Sequence, residues 1–114
     1  MTRRPFEEMS SLDRLVHDPA RLAILTALSA CRSADFLFLL SLTGLTKGNL
    51  SGHLGKLEHG GLVTIAKSFK GKVPNTSISL TPTGRDAIRG HWKRLEQLRR
   101  AAKRWTPALH TKAI

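Results

Sequence analysis

The side chains able to do covalent or metal chemistry in this chain are few and scattered. Histidines stand at 17, 53, 59, 91 and 110, with one cysteine at 31. His53 and His59 are six residues apart, on different faces of any helix that holds them, and none of the five pairs with Cys31 at a metal-ligand spacing. One thiol can form neither an internal disulfide nor a cysteine-rich zinc site, so Cys31 reads as a small buried hydrophobe, with a redox switch as the alternative. No Ser-His-Asp set, phosphate-binding glycine motif or carboxylate pair stands out. The sequence therefore implies no enzyme, no cofactor and no metal. What it does concentrate is non-covalent chemistry. Lys47, Asn49, Ser51 and Lys56 are followed by Lys67, Lys70 and Lys72, the last three around Gly71 with no acid nearby.

The whole chain leans the same way. Its 114 residues suit a single domain with one modest core. Lys and Arg number 19 against 8 Asp and Glu, a formal charge of +11. Such an excess attracts polyanions: nucleic acid, an acidic membrane or an acidic protein. No stretch approaches the roughly 18 apolar residues of a membrane span. The basic start, Met1 to Pro5, has no apolar run behind it and is no secretory signal. With a lone cysteine, this leads to the expectation of a cytoplasmic protein.

The elements that would position these groups follow from periodicity. Phe6, Met9, Leu12, Leu15 and Val16 recur at helical steps and predict a first helix from Phe6 to about His17. Asp18-Pro19 starts a second, through Leu22, Ile24, Leu25 and Leu28 to about Ala30. A third is expected from about Ala34 to Leu42, capped by Ser33 or Asp35 and stopped by Thr43-Gly44, although Phe36–Leu40 could instead be a buried strand. A fourth runs from about Lys47 to His59, with Leu50, Leu54 and Leu57 as its buried stripe and Gly60-Gly61 as its stop. Leu62–Phe69 and Thr76–Leu80 read as paired strands, with a basic tip over 70–75 between them. Thr81-Pro82 restarts helix, which can continue to about Trp105. The fold class expected is mainly α with a small β-hairpin: a winged helix-turn-helix core over 19–83, flanked by an N-terminal helix (1–18), a C-terminal helix (84–105) and a tail (106–114).

On these residues the sequence resembles the winged helix-turn-helix regulators of the ArsR/MarR type. Ser51-x-His53-Leu54 alone is weak. Combined with Leu54-x-x-Leu57-Glu58, Gly61-Leu62-Val63 and Leu80-Thr81-x-x-Gly84, it is strong. The likeness is nearest to a compact branch with a Gly-Asn-Leu-Ser-x-His-Leu segment (48–54) and a Lys-x-Phe-x-Gly-Lys-x-Pro wing (67–74). Leu15 to Leu22 also resembles the approach to that family's second helix, so the resemblance covers about Leu12 to Ala87. It implies a dimer that binds operator DNA, with the fourth helix in the major groove, Ser51 and His53 at recognition positions, and Lys70, Gly71 and Lys72 in the wing. The first and last helices would form the dimer surface.

Around the proposed recognition helix, at about 100° per residue, the leucines face one way and Gly48, Gly52, Gly55 and His59 lie opposite. Lys47, Ser51 and Glu58 flank that ridge on one side; Asn49, Lys56 and, further round, His53 flank it on the other. Two readings of the bare ridge stay open: close backbone approach to DNA, or mere tolerance of an exposed face. The expected DNA-contacting set is Thr46, Lys47, Asn49, Ser51, His53 and Lys56, with Lys67, Lys70, Gly71 and Lys72 of the wing. Asn suits adenine edges and Lys suits guanine, while Thr46 at a helix N-terminus suits a phosphate.

Ile88, Trp92, Leu95, Leu98, Ala102 and Trp105 form an apolar stripe on the last helix. Its distal half needs a partner, either the first helix or a second copy of the chain. A homodimer is expected, with Phe6, Met9, Leu12, Val16, Trp92, Leu95, Leu98 and Trp105 at the interface and two recognition helices on a pseudo-palindromic site. The basic remainder of that helix reads as a solvated face that adds non-specific DNA attraction. The expected function is a sequence-specific double-stranded DNA-binding regulator, a repressor rather than an activator. The alternatives are an architectural DNA binder and a winged-helix module reading an acidic protein. RNA binding is disfavoured by the scarcity of aromatics. The apolar run Phe36–Leu40 leaves room for an unknown small-molecule effector without specifying one.

Overall fold

The computed structural model describes residues 14–105. Helix α1 spans Pro19–Ser29, strand β1 Ala34–Asp35, α2 Phe36–Thr43, α3 Lys47–His59, β2 Val63–Lys70, β3 Val73–Leu80 and α4 Pro82–Trp105. The expected first helix lies mostly outside the described residues, as do Phe6, Met9, Leu12, the tail and the side chain of Trp105. Its last turn is corrected, because Arg14–Val16 form a turn rather than helix.

Local chemistry sets the helix ends. The Asp18 carboxylate accepts the Arg21 N–H at 3.1 Å, and Pro19 opens α1 where no amide proton is needed. That backbone bond, reinforced by the Arg21 charge, holds the Asp18 carboxyl below its ordinary value. Asp35, not Ser33, caps α2 by accepting the Phe38 N–H at 2.8 Å. Gly44 closes α2 at φ +68, a conformation natural to glycine. Thr46 caps α3 through the Asn49 N–H at 3.1 Å. At its other end Gly61 takes φ +78, and the Leu62 N–H reaches back to the Leu57 carbonyl at 2.9 Å, satisfying a carbonyl the helix would leave orphaned.

Two expectations about the sheet are corrected. Ala34 and Asp35 are not helical. They pair antiparallel with Ile78 and Ser77, which makes β1 an edge of a three-stranded sheet ordered β1-β3-β2. The hairpin is also longer than expected. β2 and β3 stay in register from Val63↔Leu80 out to Lys70↔Val73, so the turn is only Gly71 and Lys72, with Gly71 at φ +66. Pro74 is tolerated because β1 ends well short of it, leaving that edge of β3 unpaired.

The core gathers one stripe from each helix and the inner face of the sheet: Val16, Ile24, Leu25, Leu28, Leu39, Leu50, Leu54, Leu57, Leu62, Ile78 and Ile88 among others. Val16, expected at a dimer surface, is only 2% exposed and belongs to this core. The junction of wing and α4 is tightly made. The Thr81 hydroxyl donates to the Gly61 carbonyl at 2.6 Å and accepts the Gly84 N–H at 2.9 Å. Gly84 lies directly on the Leu62 carbonyl, where no side chain fits. From there α4 runs past α1 and β3 for roughly 36 Å, at 1.5 Å per residue.

Candidate nucleic-acid interface

Helix α3 turns Leu50, Leu54 and Leu57 into the core and leaves Lys47, Gly48, Asn49, Ser51, Gly52, Gly55, Lys56 and Glu58 exposed. An added Cβ at Gly48, Gly52 or Gly55 would meet nothing within 4 Å. The glycine ridge is therefore open, and packing among the described residues does not require it. Thr46 spends an acceptor lone pair of its hydroxyl on the helix cap, which leaves the O–H proton free to donate.

His53 departs from its neighbours. It is half-buried, its Nδ1 is shut off from solvent with no hydrogen-bond partner among the described residues, and it lies near enough to Asp18 to help lower that carboxyl. It sits on the flank of α3 that faces the start of α1, away from the wing.

The opposite flank borders the wing. A cleft of about 670 Å³ separates α3 from the sheet, lined by Ser51, Leu54, Gly55 and Glu58 on one side and by Phe36, Ile65, Lys67 and Thr76 on the other. Lys67, Lys70, Gly71 and Lys72 are all exposed along the hairpin, as expected. The geometry brings together the N-terminal half of α3, the cleft and a projecting basic hairpin on one surface.

Three exposed residues of this surface were not among the expected contacts. Glu58, the acid of α3, borders the cleft. A carboxylate there disfavours a phosphate but can accept from a cytosine amine. Phe69 and Val73 stand bare at the wing tip. The two-residue alternation of the strand could have pointed to Phe69, had the hairpin's true length been known.

A family model described as a winged helix DNA-binding domain matches residues 20–99, most of the chain. The chain is a winged-helix DNA-binding protein. An uncharacterised protein of Methanocaldococcus jannaschii is 36% identical over 86 residues, spanning 75% of this chain and 92% of that one. The structure of a transcriptional regulator homologue from Pyrococcus horikoshii superposes with a TM-score of 0.75 at 29% identity, covering 81% of this chain and 93% of the other. A MarR-family regulator from Silicibacter pomeroyi shares the fold at a TM-score of 0.60 and 21% identity, over 90% of this chain and 66% of that one. The resemblance read from the sequence therefore holds for the winged-helix fold and the winged-helix DNA-binding family, which supplies the frame for DNA binding in transcription regulation. Among the described residues no group of three or more potential metal ligands gathers, and no helix is long and apolar enough to cross a membrane.

In the last helix of this winged-helix protein the buried side runs through Ile88 and also through His91, which was not expected there, while Trp92, expected at a dimer surface, is 48% exposed. His91 is only 2% exposed, and neither ring nitrogen has a partner among the described residues. Its ring lies 5.6 Å from that of His17 and 5.3 Å from that of Trp92. Burial, with the nearby charges of His17 and Arg94 adding to it, pushes the His91 pKa down. Further along, hydrogen bonds from Arg99 and then Arg100 hold the exposed Glu96 carboxyl down at about 2. Both acids of α4, Asp86 and Glu96, are thus engaged by arginines of the same helix.

Proposed function

We propose that the protein is a sequence-specific, operator-binding transcriptional repressor that works as a homodimer on a pseudo-palindromic site. The observation that carries this is the leucine-free side of α3, exposed along its length, with a lysine-bearing hairpin beside it. In this reading α3 enters the major groove. Lys47, Asn49, Ser51 and Lys56 read base edges, Thr46 donates to a phosphate, and His53 contributes from the flank. Lys67, Lys70, Gly71 and Lys72 hold the adjacent backbone. In this reading the protein works in the cytoplasm.

Dimerisation in this reading rests on apolar surface that the described residues leave uncovered. Trp92 and Leu42 border an open apolar cavity of about 420 Å³ between α1 and α4, and Leu95 and Leu98 are only half-buried. A second copy would cover this surface together with the first-helix residues Phe6, Met9 and Leu12 and with Trp105. It would also set two copies of α3 a fixed distance apart.

Selection of bound fragments from random and genomic DNA, with affinities then measured across a salt series, tests the reading. A recurrent inverted repeat bound at least about 10³-fold more tightly than random duplex is expected. Equal affinity for all duplexes at physiological salt would instead support an architectural role. No complex even at low salt would exclude DNA altogether. Lys70→Ala with Lys72→Ala should weaken binding by a similar factor on every sequence and flatten the salt slope by about two.

A further inference from the structure

The register of the hairpin carries one step more, resting on the reading that α3 and the wing hold DNA. Cross-strand partners share a face, and faces alternate along each strand. Val63↔Leu80 and Ile65↔Ile78 lie on the face that closes the core. Lys67↔Thr76 continue that face and line the cleft beside α3. The next pair on it is Phe69↔Pro74. By that position the core has ended: Phe69 is 72% exposed, and Pro74 is exposed too. The inner face of the wing, which looks along the α3 side of the molecule, thus ends in an aromatic ring and a proline ring standing opposite each other. Lys67 lies two residues back, and Lys70 and Lys72 follow.

We propose that the Phe69–Pro74 pair is an apolar wedge that enters the minor groove beside the major groove occupied by α3, partly unstacks a base step and bends the duplex. A phenyl ring held in water at the tip of a two-stranded ribbon contributes nothing to the core. Its surroundings choose the occupant. Lysines at 67, 70 and 72 with no acid among them favour a polyanion, and a ribbon two strands thick can reach into a groove. Side chains used as wedges between base steps are bulky and apolar, Phe and Pro among them, and the kinks they produce are roughly 20–90°. The wedge also supplies specificity without base hydrogen bonds, because flexible pyrimidine–purine steps unstack most readily.

The test uses the full-length protein and duplexes of about 30 base pairs recovered by the selection above, labelled with a fluorescent donor and acceptor at the two ends. Wild-type binding should raise energy transfer. Phe69→Ala should abolish that rise and weaken binding about three- to tenfold, leaving the salt slope unchanged because no lysine–phosphate contact is removed. Phe69→Leu, still a wedge, should restore most of the bend. Phe69 lies outside the core, so the thermal midpoint of each variant should match wild type. An undiminished bend with Phe69→Ala, or a wild-type complex that leaves the duplex straight, overturns the wedge while the DNA-binding reading stands. A change of oligomeric state in Phe69→Ala would assign the tip to a protein contact and also overturn it. Failure of wild type to bind any duplex removes both readings together.

Discussion

Substituting Gly52 and Gly55 by alanine sets stability against binding. Both lie inside α3, where glycine is about 1 kcal/mol less favourable than alanine. Their added methyl groups would meet nothing within 4 Å, so no steric clash opposes the gain. The double variant should therefore be about 2 kcal/mol more stable. Each kcal/mol moves the midpoint of a domain only slightly larger than about 100 residues by about 4 °C, so thermal unfolding should shift upward by about 8 °C. DNA affinity should move the other way. If the bare ridge seats the helix backbone on the groove floor, two methyl groups lift the helix. The hydrogen bonds that Asn49, Ser51 and Lys56 make to base edges then lengthen, and each good one that breaks costs about 1–3 kcal/mol. Affinity should fall at least about tenfold. Urea or thermal unfolding measures the first effect and fluorescence anisotropy on a selected duplex the second. If Gly52→Ala raises both stability and affinity, close approach is wrong and the glycines only tolerate exposure.

Gly84 should behave in the opposite way, because an alanine Cβ there would overlap the Leu62 carbonyl: Gly84→Ala should destabilise by about 3 kcal/mol in equilibrium unfolding, and an unchanged midpoint would refute the close approach. Thr81→Ala removes both the cap on Gly84 and the bond to the Gly61 carbonyl, so a loss of about 1–2 kcal/mol by denaturant titration is expected, with little loss indicating that water replaces the hydroxyl. For His91 the sign is fixed by burial. Its folded pKa lies below the ordinary 6.5, so the unfolded chain binds the proton more readily. The stability this gives is present above pH 6.5 and is lost as pH falls from there through the folded value. His91→Leu should flatten that acid limb of the stability–pH curve and raise the midpoint at about pH 7, by ending the burial of two unpartnered ring nitrogens.

Much of the frame was legible because it rests on local rules. Leu50, Leu54 and Leu57 at helical spacing predicted the buried side of α3, and with it the exposed side. Asp18 and Thr81 announced helix starts because a short oxygen side chain satisfies an orphan amide whatever lies beyond it. The lysines of the wing were visible as a charge cluster around a glycine. Less was legible where two segments distant in sequence meet. Ala34-Asp35 looked like the start of a helix because its strand partner, Ile78-Ser77, lies more than forty positions on. Val16 looked like a surface residue of an amphipathic helix, yet it is sealed in the core. His91 escaped notice because histidine is seldom read as a core residue, and only the packing of α4 on its neighbours places it inside.

Short-range rules sufficed for the four described helices and the hairpin in their order, the register of leucines on α3 and the surplus of positive charge, since each depends on neighbours within a turn or on simple summation. Tertiary structure decided which glycines are free and which are pinned. Gly52 and Gly84 are the same residue in the same kind of element, but one faces open space and the other a carbonyl from a different segment. It also decided the length of the hairpin, and so which side chains stand at its tip and on which face. A strand's outward or inward sense is fixed only by what it pairs with and where the core beneath it ends.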